Sequence, residues 1–193
     1  MRVKDLYSFP IEPELAHWPE KFHVPSDLLS KSPQLFANLQ KTTILGTIEE
    51  GTLLIGPVHV GEQSLIKANS IIIGPVILGP DVMINHGVIV RAQTYIGGGC
   101  SIDCGSVITS SLILNGTAID QMVSINSSIA GTECTLATRS TVGGKLRQLG
   151  YGTFVGCSVT TRVGAVVPAG SQVPSGTTFP DVTTFSWPIG LFM

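Results

Sequence analysis

The chain has 193 residues, 43% of them hydrophobic and only 12% charged, with a formal net charge of −2. That length fits one domain with a short appendage, and the balance excludes intrinsic disorder, which needs low hydrophobicity and high net charge. No basic field is present to hold a phosphate backbone, which excludes a nucleic-acid partner, and no apolar run approaches the roughly 18 residues that a membrane insertion would need.

Residues 1–44 carry no coil-forming pattern and are read as an N-terminal segment. Met1 to Ser8 shows no apolar stretch behind its basic residues, so no signal peptide is expected. The four cysteines (Cys100, Cys104, Cys134, Cys157) lack Cys-x-x-Cys spacing and fit reduced thiols in a cytoplasmic protein. Ser26 and the pair Ser32-Pro33 open like helix starts, a capping hydroxyl and a proline suited to a first helical position. They predict a short helical cap over 26–40, with Leu35, Phe36 and Leu39 turned toward the first coil.

From Ile48 the sequence steps by six: Leu54, Val60, Ile66, Ile72, Leu78, Ile84, Val90, Ile96, Ile102, Ile108, Leu114, all aliphatic. Four residues after each comes a mostly small residue, as at Ser64, Ser70, Cys100 and Ser106. The position directly after is often a turn former (Gly61, Gly79, Asn85, Gly97, Asp103, Asn115), of types that accept positive φ. A period of six suits neither a helix nor a simple hairpin. It suits a short strand, a turn and a return to the same inward orientation. Ile55-Gly56-Pro57-Val58 recurs as Ile73-Gly74-Pro75-Val76, one three-sided coil of 18 residues later. The pattern predicts an all-β solenoid, a left-handed parallel β-helix of about seven coils over 45–178. A β-sandwich would need repeated hairpin signals, and Asn115-Gly116 is the only one of its kind.

Beyond Leu114 the frame is expected to slip by one residue, resume at Ile119 and Ile125, slip again near Ala130, and resume at Leu136 and Val142. Residues 143–153 have no phase and are read as an external loop. Coils return at Val155, Thr161, Val167 and Val173. Residues 179–193, with Phe179, Phe185, Trp187 and Phe192, form an extended C-terminal tail that seals the last coil or packs on a neighbouring subunit.

The stretches Ile71 to Gly79, Ile89-Val90-Arg91 and Ser111 to Ile119 carry a resemblance covering about 45–178. They resemble the acetyltransferase half of the bifunctional glucosamine-1-phosphate acetyltransferase/N-acetylglucosamine-1-phosphate uridyltransferases, and more closely the related sugar-1-phosphate nucleotidyltransferase-like proteins. The slip after Leu114 falls where that family has it, and residues 13–40 are similar in character to the segment linking the family's two halves. No counterpart of the nucleotide-transferring half is found in this sequence, so uridyl transfer is not expected of it. The resemblance implies a homotrimer with sites between subunits, acetyl-CoA or another acyl-CoA as co-substrate, a phosphosugar or sugar nucleotide as ligand, and no metal.

In that family a sugar amine attacks the thioester, with the His of a Gly-His-Leu-Ser motif as general base. An Arg and a Lys hold the sugar phosphate, a Tyr touches the sugar and an Asn-Tyr-Asp stretch lines the site. Here Arg91 matches the Arg. The base falls on Gln121, within Asp120-Gln121-Met122-Val123, the Lys on Thr109 and the Tyr on Ser124. Gly143, Gly144 and Lys145 stand in place of Asn-Tyr-Asp. Val155-Gly156-Cys157-Ser158 resembles the region where the family's backbone meets the pantetheine arm, which nominates Gly156, Cys157 and Ser158 for the cofactor. An amide has no titratable lone pair near neutral pH, and losing a positioned base typically costs about 10²- to 10⁴-fold in rate.

His86 is a candidate replacement base. It follows Ile84 by two positions, as Gln121 follows Ile119, so His86, Cys104, Gln121 and Thr138 form one ladder along a corner. At about 4.8 Å per coil it lies roughly 10 Å from Gln121. The alternative is a surface histidine on a turn. Cys104 and His86 alone do not make a zinc site, which takes at least three protein ligands. His59 lies one and a half coils from His86 and so on another face. Lys145 and Arg147, on the Gly-rich loop, can reach a phosphate on an adjacent subunit or simply keep that loop solvated. Three functions follow: an acyltransferase of the sugar-phosphate type, a catalytically silent binder of a sugar nucleotide or partner protein, and a structural trimer.

Overall fold

The computed structural model describes residues 35–143 and 152–179. Within them the chain is a left-handed parallel β-helix. Short strands alternate among three parallel sheets of 8, 8 and 7 strands, which makes seven three-sided coils and part of an eighth. The first sheet starts at Thr43–Ile44 and Val58–Val60, the second at Thr47–Ile48 and Leu65–Ile66, the third at Leu53–Ile55 and Ile71–Ile73. Every later strand pairs in register with the one a coil before it; Thr94, Tyr95 and Ile96, for example, lie on Val76, Ile77 and Leu78.

The six-residue step is the core. Val60, Ile66, Ile72, Leu78, Ile84, Val90, Ile96, Ile102 and Ile108 are all fully buried and stack as three aliphatic columns. Strands of two or three residues suffice, because each needs one inward side chain per side of the triangle. The small residues four positions on have a separate task. Ser106 is buried, donates to the Asp120 carbonyl at 2.8 Å and accepts from the Val123 amide at 3.0 Å, tying its coil to the next. Ser64 does the same with Gly79 O (2.8 Å) and Val82 N (2.9 Å). Among the described residues no buried side-chain nitrogen or oxygen lacks a partner, as a polar group in a dry core requires.

Two expectations are corrected. In the regular turns positive φ falls on the third residue after the aliphatic, as at Gln63, Asp81, Gly99, Glu133 and Ser158, and not on the first. The glycines directly after the aliphatic serve close approach: a Cβ on Gly79 would stand 2.7 Å from the Gly98 nitrogen of the next coil. The first slip also lies before Leu114, because Ile113 pairs with Ile96 and is fully buried while Leu114 is half-buried. That coil is one residue shorter, and the shortening falls at Thr109-Ser110-Ser111, where Ser110 has φ 47°. The second slip is at Asn126-Ser127-Ser128, with Ser127 also at 47°.

Both slips occupy the corner leading from the third sheet to the first, the corner at which residues 144–151, outside the described residues, separate Thr141–Gly143 from Thr153–Val155. Sequence irregularity is thus confined to one edge, and the other two corners keep their regular turns. Of the expected cap, residues 26–34 lie outside the described residues; what is described is a single turn, closed by Leu39 N–H to Phe36 O at 3.0 Å, with Phe36 buried. The tail from residue 180 lies outside them too.

Candidate functional site

The third sheet and the corner entering it gather five of the ten nominated residues: His86, Arg91, Thr109, Gln121 and Ser124. On the sheet's outer face two columns run along the solenoid. One reads Ile89, Val107, Ser124, Thr141, by direct strand pairing. The other continues past Val90 and Ile108: Arg91, whose amide donates to Ile108 O at 2.9 Å, lies one rung below Thr109, and Thr109 pairs with Asn126. Arg91 and Thr109 are therefore neighbours, and Ser124 sits on the following rung of the adjacent column. Arg91 and Ser124 are exposed and Thr109 is half-buried. Among the described residues the Arg91 guanidinium has no hydrogen bond or ion pair.

The corner entering this sheet holds the expected ladder. Gly105 N–H donates to His86 O at 3.3 Å, Met122 N–H to Cys104 O and Arg139 N–H to Gln121 O, both at 3.0 Å, which stacks His86, Cys104, Gln121 and Thr138 in consecutive coils. His86 and Gln121 are exposed and Cys104 is half-buried. Two coils separate His86 from Gln121, about 10 Å at the spacing of paired strands.

Sequence reasoning missed Asp103. Its Oδ1 accepts from the Cys104 amide at 2.7 Å and from Asn85 Nδ2 at 3.2 Å. The Cys104 amide is the main reason its carboxyl is held below the ordinary aspartate value, with the Cys104 thiol and the Gln121 and Asn85 side chains adding to it. Gln121 thus faces a carboxylate one coil below. The signal lay in the sequence as an acid in the turn position directly after an inward aliphatic, repeated at Asp120. Asn126, the rung above Thr109, was missed as well.

The residues nominated for the cofactor lie elsewhere. Gly156, Cys157 and Ser158 form the corner between the first and second sheets, opposite the third sheet in a triangular cross-section. Their three amides are already engaged, Gly156 with Val173 O (2.9 Å), Cys157 with Ser175 Oγ (2.9 Å) and Ser158 with Thr132 O (2.8 Å). What remains for a ligand there is the half-buried Cys157 thiol and the exposed Ser158 hydroxyl. Lys145 and Arg147 lie outside the described residues. No group of three metal-ligating side chains is found among the described residues. His59 is in the first sheet, away from His86.

The family described as the GMPPB C-terminal domain matches residues 72–177. No curated protein matches the sequence. Among solved structures, the chain is similar to a perosamine N-acetyltransferase from Caulobacter crescentus in complex with CoA and GDP-perosamine. The identity is 12%, with 79% of this chain and 59% of that one covered and a TM-score of 0.33. It is also similar to the acetyltransferase domain of PglB from Neisseria gonorrhoeae FA1090 (17% identity, 81% and 64% covered, TM-score 0.28). A third is a UDP-N-acetylglucosamine acyltransferase from Campylobacter jejuni (13%, 66% and 69%, TM-score 0.27). The chain spans less than two thirds of the length of the first two.

Proposed function

This chain belongs to the GMPPB C-terminal domain family, and from that premise we propose that it is an acyltransferase-like binder of a phosphosugar or sugar nucleotide. The single observation that carries the reading is Arg91: an exposed guanidinium on the outer face of the third sheet, without a partner among the described residues and one rung from Thr109. A guanidinium presents five donors in a fixed fork that matches phosphate oxygens, and the neighbouring Thr109, Ser124 and Asn126 offer the neutral polar groups a sugar needs. Gln121, at the position where the resembling family keeps its base, serves here as a hydrogen-bonding amide facing Asp103. An acyl-CoA co-substrate and a homotrimer belong to the same proposal. Within one chain the Cys157 corner faces away from Arg91, so a site drawing on both takes them from two copies.

The test is calorimetric titration of UDP-N-acetylglucosamine, glucosamine 1-phosphate and acetyl-CoA into the chain and its Arg91→Ala variant. Saturable sugar-ligand binding that weakens tenfold or more in the variant is the expected result, since a charge-assisted bond contributes about 1.5–3 kcal/mol. Equal affinity removes Arg91 from the site.

A second reading, active acyl transfer, is favoured by the stacking of His86 on the Cys104–Gln121 ladder. There the amine nitrogen bonds to the acetyl carbon, the carbon–sulfur bond breaks, CoA leaves as the thiolate, and His86 takes the amine proton. CoA release from acetyl-CoA, dependent on glucosamine 1-phosphate and abolished by His86→Ala with acetyl-CoA affinity intact, is its expected signature. Turnover unchanged in that variant contradicts it.

A further inference from the structure

The outer face of the third sheet changes character at the Arg91 rung. Its strands alternate, with Leu54, Ile72 and Val90 turned inward and their neighbours outward. On the rungs above Arg91 the outward residues Thr109, Ser124, Asn126 and Thr141 outnumber the one aliphatic, Val107. Below it every outward residue is aliphatic. Leu53, Ile71 and Ile89 make one column, and Ile55 and Ile73 make the other, which leads up to Arg91. Leu53 and Ile55 are 49% and 47% exposed, and the other three are half-buried. The corner beside the second column, Gly56-Pro57, Gly74-Pro75 and Ala92-Gln93, carries no charge. At about 4.8 Å per coil the aliphatic strip runs roughly 10 Å below the guanidinium. Contiguous exposed apolar surface of this kind marks a contact, and this strip ends on a cation.

We propose that the ligand of this face is an amphiphile, a sugar joined through its phosphate to a hydrocarbon chain. The inference rests on the reading of Arg91 as the phosphate ligand and extends it to the far side of the phosphate. Charge sets the register: the phosphate meets the guanidinium, the sugar runs up along Thr109, Ser124 and Asn126, and the hydrocarbon runs down over the five aliphatics. A free sugar phosphate is too short and too polar to cover that strip. The ligand is taken up singly and not as part of a bilayer, because the strip is one strand wide and about two coils long below Arg91. A second copy of the chain is the competing occupant.

Calorimetric titration of ethyl phosphate and octyl phosphate, each below its micelle concentration, into the full chain reads the strip directly. A fully buried methylene raises affinity about fourfold, and one lying on an open face buries only about half its surface. Octyl phosphate is therefore expected to bind about tenfold tighter than ethyl phosphate, or more. Arg91→Ala should weaken both tenfold or more. Leu53→Ser combined with Ile55→Ser, at half-exposed positions two coils from Arg91, should cut the octyl gain several-fold and leave ethyl phosphate unchanged. Should that pair fail to fold, Ile73→Thr, which keeps a β-branched side chain, makes the same test. Equal affinity for the two esters, or an octyl gain indifferent to the substitutions, overturns the inference. So does a serine pair that dissociates an oligomer in sedimentation, which assigns the strip to a second copy. UDP-N-acetylglucosamine titrated alongside separates the two levels. Its Arg91-dependent binding without an octyl gain sinks this inference alone, whereas no Arg91 dependence for any of the three ligands sinks the reading beneath it as well.

Discussion

Cys100 and Cys134 occupy inward positions that serine or threonine fills in neighbouring coils. Cys100 Sγ donates to Leu114 O at 3.2 Å and Cys134 Sγ to Gly156 O at 2.9 Å, as the serine hydroxyls do elsewhere. Burial pushes each thiol from 9.0 up to about 11. Below about pH 9 both the folded and unfolded chains keep these protons, and the thiols contribute no pH dependence. Between about pH 9 and 11 the unfolded chain releases them first, so stability falls as pH rises through that window. We predict this decline in denaturant unfolding and its flattening in a Cys100→Ser/Cys134→Ser chain; an equal slope in both contradicts it. In the native protein a thiol reagent should label Cys104 and Cys157, and reach the other two only on unfolding. The sequence showed these positions as small and inward. It did not show that they bridge coils, because that depends on which carbonyl the next coil brings opposite. Asp103 escaped notice for the same reason: its partners Asn85 and Gln121 are neighbours only through the 17- and 18-residue coil lengths.

The coil is the element at which sequence and structure agree most closely, since an aliphatic column has one periodicity and no other fold satisfies it. Turn chemistry was harder to read. Glycine marks two different constraints within one turn, and the repeat alone does not separate them. Gly87 has φ +67° and open space around its would-be Cβ, while Gly79 has an ordinary φ and the Gly98 backbone against it. Gly87→Ala is therefore expected to cost about 1–2 kcal/mol, the price of a left-handed alanine. Gly79→Ala must displace backbone of the next coil and is expected to cost more. Paired unfolding curves check the order, and a reversed order contradicts the assignment. The slip before Leu114 was misplaced by a few residues because Ile113 and Leu114 are equally aliphatic, and only pairing with Ile96 decides which one turns inward.

At the scale of the whole molecule, stacking brings together residues a coil or more apart in sequence and keeps others on opposite sides. Arg91, Thr109, Ser124 and Asn126 share the third sheet with the His86–Gln121 corner at its edge, whereas Gly156 to Ser158 lie across the triangle. The repeat made that partition readable in principle, since counting coils assigns each residue a side. The proposed ligand follows from the residue types on that side, and the resemblance to sugar-1-phosphate proteins supplied the expectation. A crystal structure grown with UDP-N-acetylglucosamine tests the central claim most directly. The account predicts the diphosphate on the Arg91 guanidinium, with the sugar along Thr109, Ser124 and Asn126. Diphosphate density on another face, with Arg91 unliganded, would contradict it.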